Sequence, residues 1–175
     1  MPTRGLTGGE RAILKFVFGD TLNEYTLITT NDANRGGVDN SITYSDIPHY
    51  STKIWCPDFS ARGASTWTFV HEFGYVWQYR YATKPISGWL QNVMRHPVNY
   101  ELNYYYDLEK TDDFYEYNIE QQASIVADYW AVSVLYPALY CRNPRAPKPE
   151  DYFAFIAEVQ NPSVPLGRSP PLPSA

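Results

Sequence analysis

The spacing of apolar positions changes period several times along the chain, and each change predicts a new element. Ala12, Ile13, Phe16 and Val17 recur at three-to-four-residue intervals, which predicts an amphipathic helix. Thr7-Gly8-Gly9-Glu10 precedes them with the T-x-x-E spacing of a capping box, in which hydroxyl and carboxylate each satisfy a free helix N–H. Gly19 supplies the stop. Residues 25–30 (YTLITT) are β-branched and aromatic and predict a strand, and 31–40 (NDANRGGVDN) is turn chemistry throughout. Short strands at 41–44 and 52–56 would complete a small meander, with 57–63 as a loop. Trp67, Val70, Gly74, Trp77 and Tyr81 restore the helical period and predict a helix over 65–80 that enters the core. A short helix is expected at 86–94. The stretch 101–117, crowded with Tyr and acids, reads as a hairpin or a substrate-side loop. Ile119, Ala123, Val126, Trp130 and Val134 mark a long helix over 119–135, which Pro137 is expected to end. A last helix is expected at 150–159, and no internal repeat is present.

Composition narrows what this pattern can be. The chain has 175 residues, about one domain's worth, and reads as a single domain over 1–160. The Pro- and Ser-rich tail 161–175 lacks periodicity and is expected to be disordered. The longest apolar run is far short of a membrane span, so no membrane-spanning helix is expected. The opening MPTRGLTGGE has no apolar core of a cleavable secretory signal. A net charge of −5 with 14 Lys plus Arg argues against a nucleic-acid partner.

Two further counts limit the chemistry. Only two cysteines are present, Cys56 and Cys141, which excludes a Cys₄ zinc site within one chain. They read either as small buried hydrophobes or as a single disulfide in an oxidising compartment. Only three histidines are present, His49, His71 and His96, so any metal site must combine them with carboxylates. His49 and His96 both read as ordinary loop histidines.

One motif carries chemistry. His71-Glu72-Phe73-Gly74-Tyr75 lies inside the central helix, where HExxH is the zinc-peptidase signature. In that signature residues i and i+4 share a helix face and bind one metal ion, while the Glu at i+1 acts as general base. Here position i+4 is Tyr75. A third ligand is expected from a later helix. Glu120 opens one 49 residues on, with Ser124 and Asp128 on its face at four and eight residues further. Asp128 is the candidate to orient His71 through its other ring nitrogen. Taken alone, Glu120 is equally a first-turn acid complementing the helix dipole, and Asp128 a solvated or hydrogen-bonded acid.

Thr68-Phe69-Val70-His71-Glu72-Phe73-Gly74-Tyr75-Val76-Trp77-Gln78-Tyr79 closely resembles the helix of the Rhs- and Vgr-associated zinc metallopeptidase family, which reads F-x-H-E-x-x-H-V-W-Q there. The segment 117–129, YNIEQQASIVADY, resembles its third-ligand helix. The opening Leu6-Thr7-Gly8-Gly9-Glu10 with Val17-Phe18-Gly19-Asp20 is a weaker match in the same order. The resemblance spans residues 6–135. It implies an α+β, zincin-like fold, with a small sheet packed on the His71 helix and that helix facing the Glu120 helix across a cleft. It also implies a zinc cofactor, with His71 and Glu120 as ligands and Glu72 as general base for peptide-bond hydrolysis. The implied setting is bacterial: an effector or toxin of a type VI secretion system, delivered to the periplasm or cytoplasm of a target cell. Its implied partners are a protein or peptide substrate and a secretion spike or immunity protein.

Tyr75 departs from the family pattern. A phenol has a reference pKa of about 10 and binds zinc only if the metal drives off its proton. Three outcomes are open. The site holds no metal and the domain is an inactive family member, or an inactivated variant of one, acting as a protein-interaction module. It holds zinc weakly through His71, Tyr75 and Glu120. Or His96 or His49 substitutes from elsewhere. The tyrosines at 100–106 and 115–117 either wall a peptide groove or pack as half-buried surface.

Overall fold

A computed structural model describes residues 3–23, 27–31, 41–44, 47–61, 63–81, 100–143 and 145–162. The expected turn over 32–40, the short helix at 86–94, His96 and the tail from 163 lie outside the described residues. Among the described residues no helix is long and apolar enough to cross a membrane.

The predicted capping box forms and organises the N-terminal third. Helix α1, Gly8–Phe18, starts at Thr7, whose hydroxyl accepts Glu10 N–H at 3.1 Å while Glu10 accepts Thr7 N–H at 2.8 Å. Glu10 is fully buried and also accepts Phe59 N–H at 2.9 Å and two bonds from Arg4, at 2.8 and 2.5 Å. The cap residue therefore ties the helix start to strand β1, Thr3–Gly5, and to the short 3₁₀ turn Phe59–Ala61.

The sheet is mixed and four-stranded, which corrects the expected meander. Strands β2, Leu27–Asn31, β3, Ile42–Tyr44, and β4, Ile47–Ser51, join β1 in the order β1-β2-β4-β3. The β2–β4 pair is parallel, and the β1–β2 and β3–β4 pairs are antiparallel. The fourth strand lies before 52–56, where a turn instead returns Ile54 N–H and Trp55 N–H to Ser51 O. Pro48 hides it. A proline cannot donate to a ladder and argues against a central strand, yet here Pro48 sits opposite Thr43 in one.

Helix α2, Gly63–Tyr81, carries His71 and is buried on nearly every face. Phe69 packs toward Tyr50 and Phe59, and the opposite face meets helix α3, Ile119–Ser133. The two helices approach closely at Gly74. A β-carbon there would fall 2.9 Å from Ala123 Cα and 3.0 Å from its Cβ, closer than packed atoms tolerate. Asn118 and Gln121 cap α3 with a reciprocal box at 2.9 and 3.0 Å. The helix ends two residues early, and Pro137 is not the cause. Leu135 takes φ +59°, Leu135 N–H returns to Val132 O and Tyr136 N–H to Ala131 O, the reversal that usually recruits glycine. The 3₁₀ turn Pro149–Tyr152 and helix α4, Phe153–Gln160, close the core, where Trp77 Nε1–H reaches Val159 O at 2.9 Å.

The segment 101–117 is neither hairpin nor open loop. It holds two 3₁₀ turns, Tyr100–Asn103 and Phe114–Glu116, and an isolated bridge from Tyr106 to Cys141. No disulfide joins the two cysteines: Cys56 lies in the core and Cys141 is half-buried.

Candidate functional site

His71, Glu72 and Tyr75 come from the middle of α2 and Glu120 from the first turn of α3. The fold brings His71, Tyr75 and Glu120 together. His71 Nε2 lies 3.0 Å from Tyr75 Oη and 3.6 Å from Glu120 Oε2. Tyr75 Oη donates to Glu120 Oε2 in a short hydrogen bond. With its own proton spent on Glu120, Tyr75 Oη accepts on the His71 side, so that contact's hydrogen comes from Nε2. The three polar atoms form a closed triangle in which His71 and Glu120 are 3% and 1% exposed.

Glu72 points to the sheet. Thr43 Oγ1 on β3 donates to Glu72 Oε2 at 2.6 Å and lies 3.2 Å from Glu72 O. Burial pushes the Glu72 carboxyl up to about 7, against the opposing pull of His71 and of the Thr43 bond. That value suits a group that must both take and return a proton near neutrality.

The expected role of Asp128 is corrected. Its carboxylate accepts Trp67 Nε1–H at 2.7 Å, Tyr106 O–H at 2.7 Å, and the N–H groups of Leu139 and Tyr140 at 3.0 and 3.4 Å. Among the described residues His71 Nδ1, which is buried, has no hydrogen-bond partner. Two helical turns separate Asp128 from Glu120, which carries it past the imidazole to the level of Trp67. Burial still raises the Asp128 carboxyl above the usual range despite these four bonds. Its contribution to His71 is indirect, because Trp67 stacks on the imidazole with ring centres 4.9 Å apart.

Two of the tyrosines depart from both expectations, a groove wall or half-buried surface. Tyr106 and Tyr117 are core residues, with Tyr106 Oη also 3.1 Å from Tyr152 Oη. Tyr104, Tyr105 and Tyr140 are half-buried and form an aromatic wall beside the site. Tyr104 lies 5.4 Å from the His71 ring and 4.9 Å from Tyr140, and Arg142 sits over Tyr105 at 4.6 Å. His49 is half-buried on β4, opposite Thr29 and Ile42. Sequence reasoning misses Thr43 and Trp67. Trp67 carries a signal, since it lies four residues before His71 on the same helix face. Thr43 carries none, because only strand packing sets it beside Glu72.

The donor set can be tested against zinc. A tetrahedral ion with bonds of about 2.0–2.1 Å holds its ligand atoms about 3.4 Å apart. The 3.0 and 3.6 Å edges of the triangle bracket that spacing, while the Tyr75–Glu120 edge is a hydrogen bond and must open. For these atoms to serve as zinc ligands the phenol must give up its proton and His71 must move its hydrogen from Nε2 to Nδ1. Among the described residues no group of three His, Cys, Asp or Glu side chains is arranged to hold a metal ion.

No protein-family profile matches the chain. The chain is 27% identical over 140 residues to the type VI secretion system spike protein VgrG2b of Pseudomonas aeruginosa, a match covering 73% of this chain and 13% of that protein. It therefore spans a small part of that relative's length. Among solved structures, the effector domain of Pseudomonas aeruginosa VgrG2b superposes with a TM-score of 0.61 at 24% identity, covering 89% of this chain and 83% of that one. The chain is thus similar in sequence to one part of a secretion spike protein and shares the fold of that protein's effector domain.

Proposed function

We propose that the chain is a bacterial type VI secretion effector domain of zincin-like build, a peptide-bond hydrolase whose second metal ligand is Tyr75. The observation that carries this reading is the convergence of His71, Tyr75 and Glu120 on one point, with Glu72 beside it on the same helix. The similarity to VgrG2b supports the secretion setting, with a spike protein as carrier and a protein or peptide of the target cell as substrate. His71, Tyr75 and Glu120 would hold the ion. Bound zinc supplies Lewis acidity toward a scissile carbonyl. Glu72 takes the proton of the attacking water and returns it to the leaving amine. Thr43 fixes the rotamer of Glu72 by its bond to Oε2. Tyr104, Tyr105 and Tyr140 offer an aromatic wall for substrate side chains.

A second reading, a metal-free family member that acts as a protein-interaction module, draws on one observation: Tyr75 bonds His71 Nε2 and Glu120 without an ion. Zinc content and peptidase activity of the purified chain, of Tyr75→His and of Glu72→Gln separate the two. The enzyme reading expects stoichiometric zinc in the wild type after zinc is supplied, tighter binding in Tyr75→His, and hydrolysis abolished by Glu72→Gln. Zinc only in Tyr75→His selects the module. Zinc in neither the wild type nor Tyr75→His removes the assignment of His71 and Glu120 as co-ligands.

A further inference from the structure

We infer that Ser124 is the positioning residue of His71, its hydroxyl hydrogen-bonding Nδ1 directly after a χ1 rotation or through one bridging water. The register of α2 against α3 sets this pairing. The helices run antiparallel: Gln78 donates to Ile119 O and Gln122 Oε1 near one end, and Trp67 meets Asp128 near the other. Steps of four along each helix stay on one face. Read backwards along α2 these steps give Tyr75, His71 and Trp67, and read forwards along α3 they give Glu120, Ser124 and Asp128. Both outer rungs of this ladder are made, Tyr75 to Glu120 and Trp67 to Asp128 at 2.7 Å.

The middle rung pairs His71 with Ser124. His71 is 3% exposed and Ser124 fully buried. Each carries a buried polar atom without a hydrogen-bond partner among the described residues, His71 Nδ1 and Ser124 Oγ. Two unsatisfied groups on facing positions of a tightly packed helix pair call for a common explanation, because buried polar atoms are almost always bonded. The close approach at Gly74 and Ala123 holds the two backbones together beside this rung.

The chemistry of the pair is complementary. With Nε2 donating to Tyr75, the neutral imidazole presents a lone pair at Nδ1, and a serine hydroxyl donates to it. If Nε2 instead gives its lone pair to a metal, Nδ1 carries the hydrogen and the same hydroxyl accepts it. A carboxylate at this position serves only the second state. Ser124 therefore takes the orienting role first expected of Asp128. The hydrogen bond stands without a metal, whereas its value to ligation rests on the proposed function.

The test uses the ¹⁵N-labelled full chain, kept metal-free with a chelator. Ser124→Ala removes one oxygen and raises helix propensity, so the fold is retained. Long-range ¹⁵N–¹H spectra should show the His71 Nδ1 resonance moved in Ser124→Ala while the Nε2 resonance, bonded to Tyr75, stays. An unmoved Nδ1 overturns the proposal. A second arm measures zinc affinity in Tyr75→His with and without Ser124→Ala. An orienting partner is worth about 10–100-fold in affinity, and equal affinities would sink the positioning role. If Tyr75→His takes no zinc, the metal reading falls, and the Nδ1 resonance still decides the rung.

Discussion

Glu10 concentrates four interactions in one fully buried carboxylate: Thr7 N–H, Phe59 N–H and a forked pair from Arg4. Glu10→Gln keeps its shape but replaces one acceptor oxygen with a donor, which then faces a donor whichever way the amide turns. The expected cost is about 2–3 kcal/mol, the range for an unsatisfied buried group discounted for the partial exposure of Arg4. Urea unfolding with an unchanged m-value measures it, and a loss below about 1 kcal/mol would show that the carboxylate is not the tie described. The half of this cluster made by Thr7 is legible in the sequence, because a capping box is a local spacing. The half made by Arg4 and Phe59 is not, because Arg4 reaches Glu10 from a strand outside the helix and nothing local announces Phe59, 49 residues away.

Elements are legible where their pattern is local and obscure where neighbours decide. The three-to-four spacing alone places both long helices within two residues at each end. Strand β4 escapes the sequence because Pro48 violates strand chemistry and only tertiary pairing overrides it. The end of α3 is set by Leu135, which turns the chain left-handed before Pro137 is reached. A side chain in that conformation costs roughly 1 kcal/mol that glycine avoids. Leu135 is 95% exposed, so no core contact is lost on replacement. Leu135→Gly should therefore raise stability by about 0.5–1 kcal/mol despite its looser unfolded chain, seen as a higher melting temperature. A lower one would mean that the leucine makes a contact of its own.

At the scale of the molecule, Asp128 ties Trp67 on α2, Tyr106 in the 101–117 segment and the backbone at 139–140. Its charge, face and distance from Glu120 are readable in the sequence, but its partners are not, since each is an aromatic or a backbone group from a distant segment. Asp128→Asn keeps the shape of the side chain and removes the titrating group. The pH dependence follows from burial. The folded carboxyl is raised above its ordinary value of 3.8, so the folded state holds that proton more tightly than the unfolded chain. The stability Asp128 contributes is thus greatest at and below that ordinary value and declines as pH climbs toward the raised one. Chemical denaturation across this window should show the gap between wild type and Asp128→Asn narrowing as pH rises. A widening gap would mean that the four donors outweigh burial and hold the folded carboxyl below its ordinary value.

Tyrosine and histidine codons differ by a single transition at the first base. Because Tyr75 joins His71 Nε2 and Glu120 by hydrogen bonding alone, this contact between the two long helices does not call on an ion. At position 75 one nucleotide therefore exchanges a phenol that bridges the two helices for the imidazole of the HExxH signature.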